Sequence, residues 1–131
     1  MDQEMKDVEI TVREYNPDTD DGYIYSTWTQ YAWYSPKDPI LLTQKQFFKE
    51  KNDNIKQILS EGKVKIACLK DDPYVILGYM VVHNDKMEWC CIKKDFRKEG
   101  IESLLRNSFR GELLENNSAD LWWKAIHPSY F

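Results

Sequence analysis

The sequence has no long hydrophobic run and is poor in cysteine, histidine and glycine. Its 131 residues include two histidines, three cysteines and five glycines. No apolar stretch approaches the roughly 20 residues that a helix needs to cross a bilayer, so we expect no membrane-spanning segment. The opening residues 1–4 are polar and acidic, which is not the pattern of a secretory signal. We therefore expect a cytoplasmic protein.

The cysteines do not make a disulfide or zinc framework. Their count is odd and no Cys-x-x-Cys spacing occurs, so we expect a reducing compartment and no metal site. Cys90 and Cys91 are adjacent, and neighbouring residues of a strand face opposite sides. We interpret them as small apolar strand residues. Cys91 as a nucleophile would need a basic partner, and the sequence does not show one.

The charge balance is slightly acidic. Eighteen basic residues stand against 22 acidic ones, for a formal net charge of −4, which argues against a general nucleic-acid binder. Hydrophobic residues make up 42% and aromatic residues 14% of the chain, so a packed core is expected. The length predicts a single domain over residues 1–131.

Apolar periodicity predicts the element order β-α-α-β-β-β-α-β. Val8, Ile10 and Val12 alternate with polar residues, which is typical of a half-buried strand. The turn residues at 16–18 end this strand, and Asp20 or Asp21 is predicted to cap the first helix. Thr43 and Gln46 form a capping box for a second helix, which Gly62 ends.

The later part of the chain predicts mainly sheet. Strands are expected over 63–69, 74–83 and 87–93, and a glycine within the second, Gly78, is typical of a bulge or a close backbone approach. A helix is predicted over 100–114 and a last strand over 119–125. Residues 127–131 are expected only to close the chain.

A tight turn joins the third of these strands to the last helix. It contains Arg97, Lys98, Glu99 and Gly100, and the helix after it places Ile101, Leu104, Leu105 and Phe109 on one face. The first N–H groups of a helix lack internal partners, so they point at the turn and favour an anion such as a pyrophosphate. The alternative is an ordinary junction that binds nothing.

These residues resemble the GNAT superfamily of acyl-coenzyme A-dependent N-acetyltransferases. Arg97, Gly100 and Glu102 stand at the positions of that family's pyrophosphate motif, with an aromatic residue before it and a leucine pair after it. Residues 76–79 resemble the family's third strand. Residues 24–28 and 126–127 resemble a group of small GNAT-like proteins from phages, which implies a phage protein acting in the host cytoplasm.

The resemblance implies a fold and a cofactor. The expected fold is α+β and three-layered, with a central, mostly antiparallel twisted sheet flanked by helices and a shortened C-terminal part. The expected reaction moves acetyl from acetyl-coenzyme A to an amine acceptor. The backbone of Cys91 and Ile92 would pair with the pantetheine arm. The residues implied for the diphosphate are Arg97, Lys98, Glu99, Gly100, Ile101 and Glu102.

Four residues are candidates for proton transfer. Glu88 is the first candidate for the base, because family members often use a carboxylate on this strand. His83 is a candidate proton relay, and Tyr130 a candidate acid, with Tyr79 as another. The alternatives are a solvent-facing strand glutamate, a surface histidine beside a turn, and packing tyrosines.

Two departures from the family leave a second function open. Glu102 stands where glycine or alanine is expected, and a carboxylate there would compete with the phosphates. The chain also carries little after its last predicted strand. The alternative is therefore an inactive GNAT-fold phage protein that acts as a structural or protein-binding module. Such a protein would pair through its last strand edge with a partner or a second copy.

Overall fold

A computed structural model describes residues 9–36, 39–84, 86–113 and 129–130 of the chain. It divides into two compact units, one formed by residues 16–62 and the other by the segments on either side. We call these the helical unit and the sheet unit. Within the described ranges, no helix is long and apolar enough to cross a membrane.

The sheet unit is built from five strands in chain order. The first four pair antiparallel, each with the next, and the fifth joins the fourth in parallel. Their bounds are β1 (Ile10–Glu14), β2 (Lys63–Leu69), β3 (Ile76–His83), β4 (Lys86–Ile92) and β5 (Ser129–Tyr130). The strands predicted over 63–69, 74–83 and 87–93 are confirmed, with ends that shift by up to two residues.

The end of the sheet differs from the prediction. Residues 127–131 were expected only to close the chain, but Ser129 and Tyr130 form β5. Local pattern could not reveal this, because two residues carry no periodicity and the pairing is with a distant strand. The strand predicted over 119–125 lies outside the described residues.

One helix packs on the sheet. Helix α3 (Ile101–Leu113) contributes Ile101, Leu105 and Phe109, which are at most 1% exposed, to the core of the sheet unit. The other buried members of this core are Ala67, Leu77, Met80, Val82, Met87, Cys90 and Ile92. Leu104, predicted to share the inner face, is instead 39% exposed. The buried stripe follows the spacing of four residues more strictly than the sequence pattern suggested.

Gly78 lies where β3, β4 and α3 meet. The β2–β3 register shifts beside it, and a Cβ at this position would lie 3.0 Å from the Cys91 carbonyl oxygen. Both predictions for Gly78, a bulge in the strand and a close approach of the neighbouring backbone, are therefore confirmed. The close packing holds the start of α3 against the end of β4.

Both faces of β2 are buried, so a charged residue is enclosed as well. Val64, Ile66 and Cys68 are buried on one face, as expected from the alternation. Lys65 on the other face is only 8% exposed, and its ammonium group pairs with the Glu14 carboxylate. Its Nζ atom lies 5.9 Å from the centre of the Phe109 ring. The aliphatic stem is thereby covered while the charge keeps a partner.

The helical unit begins earlier than predicted. Helix α1 (Pro17–Tyr34) is capped by Asn16, whose side chain accepts a hydrogen bond from the Asp18 N–H at 3.1 Å. The prediction that Asp20 or Asp21 is the cap is wrong. The carboxylate of Asp20 instead accepts a hydrogen bond from the Asn16 N–H at 2.8 Å. Proline suits the first helical position, so the Asn-Pro pair starts the helix as well as ending the strand.

The second helix of this unit follows its sequence signals. In α2 (Gln44–Glu61), the Thr43 and Gln46 capping box is present, and the Gly62 N–H donates to the Ile58 carbonyl at 2.7 Å. Trp33 of α1 contacts two phenylalanines of α2, with ring centres 5.3 Å and 6.0 Å apart. The two helices are thus joined by an aromatic cluster.

The class matches the prediction, and so does the order of the first seven elements, but the eighth element, β5, is not the strand that was predicted. The described chain is α+β, in the order β-α-α-β-β-β-α-β, and its sheet is mostly antiparallel.

Candidate functional site

The chain makes a compact turn between β4 and α3. The Lys93 N–H donates to the Leu77 carbonyl at 2.8 Å, which anchors the start of the turn to β3. A single 3₁₀ turn, Lys94–Phe96, follows, and the Glu99 N–H donates to the Phe96 carbonyl at 3.1 Å. The turn therefore has a defined backbone, and its charged side chains project outward.

Gly100 makes the last step into the helix. Its φ angle is +74°, a left-handed conformation that glycine adopts without steric cost. The Leu104 N–H then donates to the Gly100 carbonyl at 3.1 Å, which closes the first turn of α3. The N–H groups of the first helical turn are directed out of the helix at this point, together with the positive end of its dipole.

A shallow cleft of about 350 Å³ lies at this turn. Its walls carry three cationic and two anionic side chains, and most of them come from the predicted phosphate turn. They are Lys94, Asp95, Arg97, Lys98 and Glu99. The cleft thus has a net positive lining and lies on the turn that precedes the N-terminus of α3, and both features favour an anion.

Glu102 does not have a free carboxylate. It forms an ion pair with the Arg106 guanidinium one helical turn later, and both side chains are half-buried. Both charges act on the Cys90 thiol of β4. The pKa of that thiol is raised first by burial and then by the Glu102 charge, whereas Arg106 lowers it. The predicted conflict between Glu102 and a phosphate is therefore reduced by a neutralising partner.

Two of the predicted catalytic residues lie close together. The β3–β4 register shifts so that Val81 faces Trp89 and Val82 faces Met87, which leaves Glu88 as the extra residue of a bulge. The Glu88 carboxylate lies 3.6 Å from Nδ1 of His83. This separation suits an ion pair when the imidazole is protonated, but it is long for a direct hydrogen bond.

A buried polar pair beside this site was not predicted. Trp89 Nε1 donates a hydrogen bond of 2.8 Å to the Tyr79 hydroxyl, and Tyr79 is fully buried. Since these residues lie diagonally on adjacent strands, only the register could have revealed the contact. Burial makes Tyr79 a packing residue with a satisfied hydroxyl rather than an accessible acid.

The backbone of Tyr130 lies beside β4. In the parallel pairing of β5, Ser129 is opposite Cys91 and Tyr130 is opposite Ile92. The predicted residues therefore fall into two groups at opposite ends of β4. Glu88 and His83 lie toward its start, and the turn, Tyr130 and the cleft lie at its end.

Comparison with known proteins agrees with this architecture. No family model and no curated protein matches the sequence. A solved structure that is similar is described as a unique GCN5-related glucosamine N-acetyltransferase region in a fungal multi-domain GH3 β-N-acetylglucosaminidase. The match covers 81% of this chain at 17% identity with a TM-score of 0.51, but only 12% of that much longer chain. At so low an identity, the match supports a similar fold but not a shared activity. The chain thus has a GNAT-like fold.

Proposed function

We propose that this protein binds acetyl-coenzyme A and transfers its acetyl group to an amine. The observation that carries the proposal is the cleft after the end of β4, where three cationic side chains lie on the turn that leads into α3. It lies in a chain with the GNAT-like fold, at the turn whose residues resemble that family's pyrophosphate motif. Acetyl-coenzyme A, when bound, supplies the acetyl group as an activated thioester.

The cleft suits a diphosphate in its charge. Arg97 can donate two parallel hydrogen bonds to phosphate oxygens, and Lys94 and Lys98 add point charges. Gly100 leaves the entry to the helix open, since a Cβ there would meet no atom within 4 Å. Asp95 and Glu99 offset part of the positive charge.

The Glu102–Arg106 ion pair supports the same assignment. A bare carboxylate near the helix N-terminus would repel a phosphate, and in a partly buried site that repulsion is costly. Pairing with Arg106 brings the local charge of the two residues to zero. Glu102 is then compatible with an anion at the turn, although the family pattern has glycine or alanine there.

Glu88 and His83 are the residues that we assign to proton transfer from the amine. A carboxylate in a strand bulge, 36% exposed and near an imidazole, can accept a proton from an approaching ammonium group. His83 can pass that proton on, because an imidazole ring can accept a proton at one nitrogen and donate one from the other. Tyr130 remains our candidate for the acid that protonates the departing thiolate of the coenzyme.

The first test is calorimetric titration with acetyl-coenzyme A. We expect micromolar binding by the unmodified chain and loss of binding in Gly100→Trp, whose side chain would fill the approach to the helix. Gly100→Ala is the matched control, since it adds the left-handed backbone strain, about 1–2 kcal/mol, without the bulk. We expect it to retain most of the affinity.

The outcomes separate the two functions. Unchanged affinity in Gly100→Trp would show that the coenzyme does not bind at this turn. No binding by the unmodified chain at millimolar coenzyme would favour the inactive binding module instead. If binding is found, Glu88→Gln should keep the affinity and lose turnover across a panel of primary amines.

A further inference from the structure

We propose that β5 is an internal competitor of the coenzyme, which must be displaced from β4 before the pantetheine arm can bind. This inference rests on the proposed function. It follows from the place where Ser129 and Tyr130 pair, which is beside Cys91 and Ile92.

The position of the phosphate cleft determines which part of β4 the arm must follow. The turn residues of the cleft begin directly after Ile92, the last residue of β4. A ligand chain that leaves the cleft along β4 therefore passes Ile92 first and Cys91 next. These are also the residues implied to pair with pantetheine through their backbone groups.

Only one edge of β4 is available for such pairing. On the other edge, Ile92 is opposite Gly78 and Cys91 is opposite Tyr79, so β3 occupies it. The remaining edge is the one that carries β5. Because a strand edge has one row of N–H and C=O groups, β5 and an extended ligand cannot pair with these two residues together.

The competition is weak enough to be reversible. A two-residue strand exchanges one or two backbone hydrogen bonds with its neighbour, and each such bond contributes only modestly to stability. Removing the competitor should therefore tighten coenzyme binding by about tenfold. The same displacement would move Tyr130. If Tyr130 is the acid, the displaced β5 must therefore take up a new position near the thiolate when the coenzyme is bound.

The test compares coenzyme affinities by calorimetry, with desulfo-coenzyme A as the unreactive probe. One variant ends at Pro128, and a second carries Ser129→Pro with Tyr130→Pro, which removes both backbone donors of β5. Both should bind about tenfold more tightly than the unmodified chain. The control carries Ser129→Ala alone, keeps both backbone donors of β5, and should stay within about twofold of the unmodified chain.

Amide hydrogen exchange provides a second readout without any substitution. When desulfo-coenzyme A is added to the unmodified chain, the β5 amide that pairs with β4 should lose protection, while Cys91 and Ile92 keep theirs.

Equal affinity in all chains, or retained protection in β5, would refute the proposal that β5 competes with the coenzyme. The proposed coenzyme site itself would still be supported. Absence of binding in every chain would overturn both proposals.

Discussion

Replacing Gly78 by alanine tests how closely β3, β4 and α3 are packed. The added Cβ would lie 3.0 Å from the Cys91 carbonyl oxygen, 3.2 Å from Cγ2 of Ile101 and 3.3 Å from Cγ1 of Ile92. Carbon atoms pack best at about 3.5–4.0 Å, so all three contacts are too short. None can yield easily, because one is backbone and both isoleucines are 1% exposed.

The expected magnitude follows from two opposing effects. Overpacking a well-filled core costs about 1–3 kcal/mol, and replacing glycine recovers about 0.4–1 kcal/mol by restricting the unfolded chain. We expect Gly78→Ala to lower the free energy of unfolding by about 1–2 kcal/mol, measured by urea denaturation.

The matched control is Gly22→Ala in α1. A Cβ at Gly22 would meet nothing within 4 Å, and the residue lies within a helix. Alanine should therefore stabilise the protein there by up to about 1 kcal/mol. The same chemical change is thus expected to act with opposite sign at the two sites. A Gly78→Ala protein as stable as the unmodified chain would refute the close packing.

Three further predictions concern charge and capping. Glu102→Gln should tighten coenzyme binding severalfold at low salt, and Arg106→Gln should weaken it. Calorimetry at two salt concentrations checks this, and an effect independent of salt would contradict it. Burial raises the pKa of the Cys90 thiol, so the unfolded thiol ionises first. Stability should thus fall by about 1.4 kcal/mol per pH unit above about pH 8.5, and urea denaturation of Cys90→Ala should lack this contribution. Asn16→Ala should cost about 1 kcal/mol in thermal melts, whereas Asn16→Ser should cost little.

Local signals predicted the elements well where the chemistry was itself local. The Thr43 and Gln46 capping box needs only residues three apart, and it is present. Asp20 was misassigned because an aspartate in the first turn of a helix resembles a cap. Its carboxylate does serve the helix start, but by accepting from the Asn16 N–H. Proline at 17 decided the boundary.

The site was predictable in part only, because side-chain contacts depend on register. The phosphate turn lies within a few residues of sequence, so its charges could be recognised. The approach of Glu88 to His83 depends on a bulge that shifts one strand against another, and alternation alone cannot reveal it. Lys65 is buried because α3 covers its face of β2. From the sequence alone, a charged residue would suggest that this face is exposed to solvent.

The pairing of β1 with β2 has a consequence for how the chain is assembled. Glu14 lies directly opposite Lys65, so the chain leaves the sheet and returns to it at neighbouring points. In topological terms, the whole helical unit is the loop of a β-hairpin. Loop-closure entropy rises only slowly with length, so the length of this insertion adds little to the entropy cost of pairing β1 with β2. A whole helical unit is thus compatible with a strand pair whose register runs without a shift from Ile10 opposite Leu69 to Glu14 opposite Lys65.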